Sequence, residues 1–190
     1  MADALVTGSF AEVQAQSGAG LAKSWLRVKA VLVVDVSSSM EARDAGDHER
    51  RVDVARREVA KIQRRQPGQL AIVSFSHDAS WDPSGRLPEP SGSTNLAGAL
   101  EYTRELLGPG AEGLKVIVVS DGDPDSQEGA IAEGRLLKEA GAVISTVYCG
   151  PDHGHGKAFL NRLASIGGGE LAEAELVKAL ADTVQKLLTA

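Results

Sequence analysis

The sequence predicts an α/β fold in which a doubly wound, mainly parallel sheet carries helices on both faces. Apolar runs rich in Val, such as Ala30 to Val34, are typical of strands that are covered on both sides. These runs alternate with segments of helical periodicity along the chain, which is the pattern of successive strand–helix–strand units. At 190 residues, the chain is most simply one domain with a sizeable core.

Composition narrows the class of protein. The formal net charge is -6, and we expect no nucleic-acid partner because phosphate binding needs a basic face. A basic cluster between Arg50 and Arg65 coincides with a predicted helix, and we interpret it as a solvated face. Cys149 is the only cysteine, which favours a reducing, cytoplasmic location. We expect neither a signal peptide nor a membrane span.

The N-terminal part of the chain offers few packing residues. Residues 1–24 carry scattered Gly and Ser, with Phe10 and Val13 as the obvious apolar positions before Leu21. We therefore predict a loosely ordered N-terminal segment over residues 1–24. The domain itself is predicted over residues 25–190.

The first half of the domain contains the strand that organises the rest. The run Ala30 to Val34 ends in a polar loop, and a helix is predicted from about His48 to Gln66, where Pro67-Gly68 stops it. A second strand follows over Gln69 to Ser76. The short piece Ala79 to Trp81 is predicted to return against it as an antiparallel edge strand.

The second half repeats the alternation of helices and strands. Thr94 or Asn95 is predicted to cap a helix that Gly108-Pro109-Gly110 ends. The remaining predicted elements are a strand at Lys115 to Ser120, a helix from about Gly129 to Ala140, a strand at Val143 to Cys149, a helix from about Ala158 to Ser165, an extended piece at Glu170 to Ala172 and a helix with the stripe Leu176, Leu180, Val184 and Leu187.

Polar side chains follow the buried strands where the predicted sheet ends. Asp35, Ser37 and Ser39 come directly after the first strand, and Asp121 follows the strand that begins at Lys115. In open α/β sheets, ligands bind at this edge, where the direction of winding reverses. One carboxylate with neutral hydroxyl oxygens suits a hard cation better than it suits nucleophilic chemistry.

The pattern Asp35-x-Ser37-x-Ser39, with Thr94 and Asp121, resembles the metal-ion-dependent adhesion site (MIDAS) of von Willebrand factor type A domains. The flanking Ser93-Thr94-Asn95-Leu96 and Ser120-Asp121-Gly122 are similar to that family too. The resemblance covers roughly residues 28–188. It implies a Rossmann-like, mainly parallel six-stranded sheet in the order third, second, first, fourth, fifth, sixth strand, with one short antiparallel edge strand.

The resemblance also implies a ligand set and a function. Ser37 and Ser39 are expected to bind Mg²⁺, or Mn²⁺ or Ca²⁺ in its place, directly. Thr94 is expected to bind directly or through water, and Asp35 and Asp121 through waters or by holding the hydroxyls. Because neutral oxygens under-compensate the charge of the ion, a protein partner's Asp or Glu is the expected further ligand. Members inside cells commonly serve as adaptor or assembly modules, often beside AAA+ ATPases, and catalysis is not expected.

Two alternatives to a protein-binding MIDAS concern the same loops. A hydrolase that uses the same metal to activate water stays open, and a general base beside the metal would distinguish it. The stretch Asp121 to Asp125 imitates the start of a calcium loop, but Ser126 and Ala132 stand where that motif needs Gly and Glu. We interpret Asp123 and Asp125 as loop acids that cap the next helix or fence the site.

Two further features concern the end of the chain. The stretch Gly150 to Lys157 resembles a phosphate loop, but its glycine spacing is wrong and Ala158 replaces the required Ser or Thr. We interpret His153 and His155 within it as a solvent-exposed pair. Gly167-Gly168-Gly169 would give slack to a movable C-terminal helix, and a static helix is the alternative.

Overall fold

Six strands form one sheet in the order β3-β2-β1-β4-β5-β6 in the computed structural model. The structure describes residues 5–18, 20–45, 48–151, 156–174, 177 and 179–189. All neighbouring strands are parallel except β3, which pairs antiparallel with β2 at one edge. The predicted fold class, strand order and antiparallel edge strand are therefore confirmed. The strands are β1 Ala30–Asp35, β2 Leu70–Phe75, β3 Ala79–Trp81, β4 Lys115–Ser120, β5 Val143–Tyr148 and β6 Gly168–Glu173.

Helices cover both faces of this sheet, because the side chains of β1 alternate between them. Leu32 and Val34 belong to the apolar cluster under α3 and α7, whereas Val31 and Val33 belong to the cluster under α4, α5 and α6. Every residue of β1 is buried, as a strand between two helical layers requires. The helices are α1 Phe10–Ser17, α2 Leu21–Trp25, α3 Arg51–Arg65, α4 Leu96–Leu107, α5 Gln127–Glu139, α6 Gly156–Gly167 and α7 Leu180–Thr189. None of the described helices is long and apolar enough to cross a membrane.

Two short helices, α1 and α2, lie in the described part of the N-terminal segment, where none was predicted. Ser9 caps α1: its hydroxyl accepts from the Glu12 amide at 3.2 Å, and the Glu12 carboxylate accepts from the amide of Gly8, the residue before the cap, at 2.6 Å. Phe10 is buried against Trp25 and Trp81, with ring centroids 5.9 and 5.4 Å away. The predicted domain boundary between residues 24 and 25 stays a prediction.

Helix α3 begins at Arg51, three residues later than predicted. A β-bridge joins Ala45 to Glu49, and His48 has a φ of 61°, so the chain turns before the helix starts. The Arg51 amide then donates to the Ala42 carbonyl at 3.0 Å and ties the start of α3 to the loop after β1. This connection matters for the site because it fixes the first turn of α3 beside that loop.

Both ends of α7 are held by side chains from other elements. At its start, the buried carboxylate of Glu58 accepts from the Ala181 amide at 3.0 Å. At its end, Lys115 Nζ donates to the carbonyls of Leu187 and Leu188 at 2.9 and 3.3 Å. The predicted stripe residue Leu176 lies outside the described residues.

The glycine run before the last helix is closely packed. Gly167 ends α6, and Gly168 and Gly169 begin β6. A Cβ atom at Gly167 would come within 2.4 Å of the Ile144 Cβ, and one at Gly169 within 2.3 Å of the Ile144 carbonyl oxygen. In this structure these glycines allow close approach to β5, and the slack expected of them for a moving helix stays a prediction.

Candidate metal centre

Asp35 ends β1 with both of its carboxylate oxygens already bonded. Oδ1 accepts from the Ser37 amide at 2.8 Å, and Oδ2 accepts from the Ser120 hydroxyl at 2.6 Å. The side chain has no exposed surface. Asp35 therefore holds the loop after β1 and the end of β4 together from beneath.

Burial has a measurable effect on this carboxyl group. It raises the pKa of Asp35 from 3.8 to about 6, because desolvation penalises the charged form and outweighs the hydrogen bonds from Ser120 and Ser37. The nearby charge of Asp121 adds a smaller increase. A bound cation would favour the ionised form that burial disfavours.

The loop after β1 aims two hydroxyls at the loop after β4. A 3-10 turn over Ser38–Glu41, anchored by the fully buried Met40, follows Ser37. The hydroxyl oxygens of Ser37 and Ser39 lie 3.0 Å apart, and Ser39 Oγ donates to Asp121 Oδ1 at 2.7 Å. Ser37 is buried whereas Ser39 is exposed, so this row of oxygens runs from the interior to solvent.

Thr94 lies on the third loop of the predicted site. Its amide donates to Asp125 Oδ1 at 3.1 Å, and its carbonyl accepts from the Asp125 amide at 3.0 Å. The Ser38 amide and hydroxyl both donate to the Gly92 carbonyl, at 3.2 and 2.9 Å. The Thr94 loop is thus tied to both neighbouring loops. The Thr94 hydroxyl itself makes no hydrogen bond within the described part of the chain.

Neither of the acids after Asp121 caps α5, which was one of the two roles expected of them, and Asp125 instead lies against the Thr94 loop beside the site. Asp125 binds Thr94 as described, whereas Ser126 is the residue that caps α5 by accepting from the Gly129 amide at 3.1 Å. Asp123 is exposed and accepts from the Gln127 side chain at 3.3 Å. The expectation that these acids cap the helix was wrong, because the shorter Ser126 side chain reaches the first turn.

Arg51 is a member of this cluster that sequence reasoning missed. Its NH1 donates to Asp121 Oδ2, while Nε and NH2 form a two-pronged contact with the carboxylate of Asp44. The Arg51 side chain is only 8% exposed, so the interpretation of this residue as part of a solvated face was wrong. Both carboxylates raise the pKa of Arg51, which stays charged. No sequence motif predicts this role, because the contact between Arg51 and Asp121 depends on where α3 begins.

Several arginines at and along α3 are paired with acids. Arg50 contacts Glu89 at 2.9 Å, and Arg57 contacts Glu49 at 2.6 Å. Together with the net charge of -6, these pairs leave little basic surface on this helix. The expectation that nucleic acid is not a partner stays a prediction.

The chemistry of the donor atoms fits a hard divalent cation. Hydroxyl and carboxylate oxygens are the ligands that Mg²⁺ takes, and no group of three or more His, Cys, Asp or Glu side chains suited to a metal occurs among the described residues. Burial raises the pKa of the nearby Cys149 thiol well above its ordinary value, so it stays protonated and is a poor ligand. His153 and His155 lie outside the described residues.

Neither carboxylate at the centre is free to act as a general base. Asp35 is buried and accepts two hydrogen bonds, and Asp121 accepts from Ser39 and from Arg51. A hydrolase would need such a base within reach of the metal-bound water. Asp35 and Asp121 do not supply such a base in this arrangement.

Comparison with solved structures shows the von Willebrand factor type A fold. A von Willebrand factor type A protein from Catenulispora acidiphila superposes with a TM-score of 0.65 at 16% identity, over 84% of this chain and 41% of that one. Proximal thread matrix protein 1 from the mussel byssus, with a zinc-occupied MIDAS motif, gives 0.64 at 19% identity, over 85% and 47%. This chain therefore spans less than half the length of either protein.

A third structure matches along almost its whole length. An aerotolerance-related membrane protein from Bacteroides fragilis, with multiple mutations to serines, gives a TM-score of 0.64 at 16% identity, over 85% of this chain and 98% of that one. No protein-family model and no curated protein matches the sequence. At these identities the comparisons establish the fold alone.

Proposed function

We propose that this chain is a von Willebrand factor type A domain that binds a divalent cation, most simply Mg²⁺, and uses it to hold an Asp or Glu of a protein partner. Mn²⁺ or Ca²⁺ are the other ions that such a centre takes. Catalysis plays no part in this function. The residues that would hold the ion are Asp35, Ser37, Ser39, Thr94 and Asp121.

One observation carries the proposal. A row of oxygens runs from the Ser37 hydroxyl through the Ser39 hydroxyl, 3.0 Å away, to Asp121 Oδ1 on the loop after β4, 2.7 Å further on. The Asp35 carboxylate supports this row from beneath by accepting from the Ser37 amide at 2.8 Å. The solved mussel protein with a zinc-occupied MIDAS motif has the same fold. An oxygen row at the carboxyl edge of a parallel sheet is where a hard cation would be held.

The charge balance supports an acidic partner. Asp121 shares its charge with Arg51, and Asp35 is removed from solvent with both oxygens bonded. The remaining proposed ligands are neutral hydroxyls. A divalent ion held in this way keeps an excess of positive charge, which an incoming carboxylate neutralises at close range.

Titration calorimetry with Mg²⁺ tests the centre directly. We expect Ser39→Ala to weaken Mg²⁺ binding at least about tenfold, because it removes one ligand and the hydrogen bond to Asp121. Ser38→Ala is the matched control: it removes a neighbouring exposed hydroxyl that is bonded to Gly92 instead. Equal Mg²⁺ affinity in the wild-type chain and Ser39→Ala would argue against the site.

The identity of the partner is proposed from the family resemblance alone. An assembly complex, for example one with an AAA+ ATPase, in the cytoplasm is the expected setting. Affinity capture from the native cell with and without chelator would test this, since partners held through the ion are lost selectively when it is removed. Metal-dependent hydrolysis of a phosphoester or peptide at enzymatic rates by the same protein would instead favour the hydrolase.

A further inference from the structure

Arg51 is in an unfavourable place for a cation unless it serves the neighbouring carboxylates. It is the first residue of α3, where the helix dipole is positive and a cation is unfavourable. Its side chain is also only 8% exposed, so it has lost most of its hydration. The contacts with Asp44 and Asp121 are what offset these costs.

The guanidinium fixes which oxygen of Asp121 faces the centre. Arg51 NH1 engages Oδ2, and Oδ1 is left facing the Ser39 hydroxyl. The Arg51 guanidinium cannot rotate freely, because its Nε and NH2 both donate to Asp44 and the Arg51 backbone amide donates to the Ala42 carbonyl. Asp121 is therefore presented to the centre through a single oxygen.

This presentation matters because Mg²⁺ and Ca²⁺ differ in how they use carboxylates. Mg²⁺ takes six oxygens in an octahedron and readily keeps waters, whereas Ca²⁺ takes six to eight and often binds both oxygens of a carboxylate. Asp35 is held in one orientation too, since Ser37 donates to one of its oxygens and Ser120 to the other. Neither carboxylate can then turn freely to present both oxygens to one ion.

We propose that Arg51 is a positioning residue that makes the centre prefer Mg²⁺ over Ca²⁺ by withholding one carboxylate oxygen of Asp121. This inference rests on the proposed function, because it requires that the centre binds a divalent cation. It adds a determinant of ion choice that lies outside the residues holding the ion.

The test measures the dissociation constants of Mg²⁺ and Ca²⁺ by calorimetry on the full chain, stripped of metal, for the wild type and Arg51→Met. Loss of the positive charge should tighten the binding of both ions about tenfold. The freed oxygen of Asp121 should tighten Ca²⁺ binding by about a further tenfold. The preference for Mg²⁺ should thus fall about tenfold. Arg50→Met is the matched control, since Arg50 is paired with Glu41, Asp53 and Glu89 instead, and it should change the preference less than about twofold.

The outcomes separate this inference from the proposed function. Equal tightening of both ions in Arg51→Met would mean that Arg51 acts only through its charge, and would overturn the inference while leaving the centre intact. A wild-type chain that binds neither ion would overturn both. If Arg51→Met does not unfold cooperatively, Arg51→Lys decides: it keeps the charge but not the fork, and the preference should fall about threefold. An unchanged preference in Arg51→Lys would then overturn the inference.

Discussion

The hydroxyl of Ser39 donates to Asp121 Oδ1 at 2.7 Å although 82 residues separate them in the chain. The contact exists because β1 and β4 are adjacent and parallel, with Val34 in register with Val119. Their carboxyl ends therefore deliver both loops to the same edge of the sheet. A ligand that bridges these loops would join the two halves of the sheet and stabilise the fold.

Mg²⁺ should therefore raise the free energy of unfolding. At a free concentration of about 100 times the dissociation constant, the gain should be about 2.7 kcal/mol, because the ion binds the folded chain alone. Urea denaturation with Mg²⁺ and with chelator measures it, and at the same Mg²⁺ concentration a tenfold weaker affinity in Ser39→Ala should cut the gain to about 1.4 kcal/mol. A full Mg²⁺ effect in Ser39→Ala would place the ion elsewhere.

The burial of Asp35 predicts a pH dependence of stability in the metal-free chain. The pKa of Asp35 is about 6 in the folded state against an ordinary value of 3.8, so the folded chain holds the extra proton between these values. The free energy of unfolding should then fall as the pH rises from about 4 to about 6, by roughly 3 kcal/mol in total, and this contribution should stay constant above that range.

Asp35→Asn isolates this contribution, because the amide is close in shape to the protonated carboxyl and does not titrate. Urea denaturation of both proteins in chelator, at pH values from 4 to 7, gives the difference in stability at each pH. We expect the wild type to lose stability relative to the variant as the pH rises. If the free energies of unfolding of the wild type and Asp35→Asn change with pH in parallel, Asp35 is not desolvated in solution.

The strands and the oxygen row were predictable because they depend on local patterns. The side chains of β1 point alternately to two covered faces of the sheet, so the strand is apolar up to Asp35. The polar residues that follow mark the end of a parallel strand. Asp35, Ser37, Ser39 and Asp121 are brought together as that reasoning expects. The Thr94 backbone joins them through Asp125, but its predicted role as a ligand stays a prediction.

Arg51 and Ser120 were not predictable as parts of the centre, because their roles depend on tertiary geometry. Arg51 lies within a run of basic residues, and its position at the first turn of α3 is set by the bridge between Ala45 and Glu49 and by the bond from its amide to Ala42. Ser120 reaches Asp35 because β4 lies beside β1. Helix α1 did carry a local signal that the prediction did not use. Ser9 is followed three residues later by Glu12, which is a pattern typical of a helix start.

The docking of α1 predicts that Phe10 contributes to the stability of the domain. Phe10→Ala should lower the free energy of unfolding by about 3 kcal/mol, because it leaves a cavity between Trp25 and Trp81. Leu26→Ala is the control: Leu26 is 85% exposed, and its removal should change stability by less than about 0.5 kcal/mol. A negligible effect of Phe10→Ala would instead support the loosely ordered segment expected over residues 1–24.

Helix α7 is expected to be static, because Glu58 holds its start and Lys115 holds its end. Hydrogen exchange over residues 180–189 should be equally slow with and without Mg²⁺. Glu58→Gln should speed exchange in the first turn of α7, since a neutral amide is a weaker acceptor than a carboxylate. Faster exchange on adding Mg²⁺ to the wild type would revive the movable helix.

The bond between the cation and a captured partner can be tested by removing each group that takes part in it. Chelation, Ser39→Ala and removal of the contacting acid in the partner should each weaken the complex severely, because each breaks the same coordination bond. Combining any two should add little further, which a double-mutant cycle between Ser39→Ala and the partner's acid would detect as strong coupling. Ser38→Ala combined with the same change in the partner should show independent effects, since Ser38 is bonded to Gly92. Fully additive effects for Ser39→Ala would mean that the ion only orders the loops and that the partner binds elsewhere on this surface.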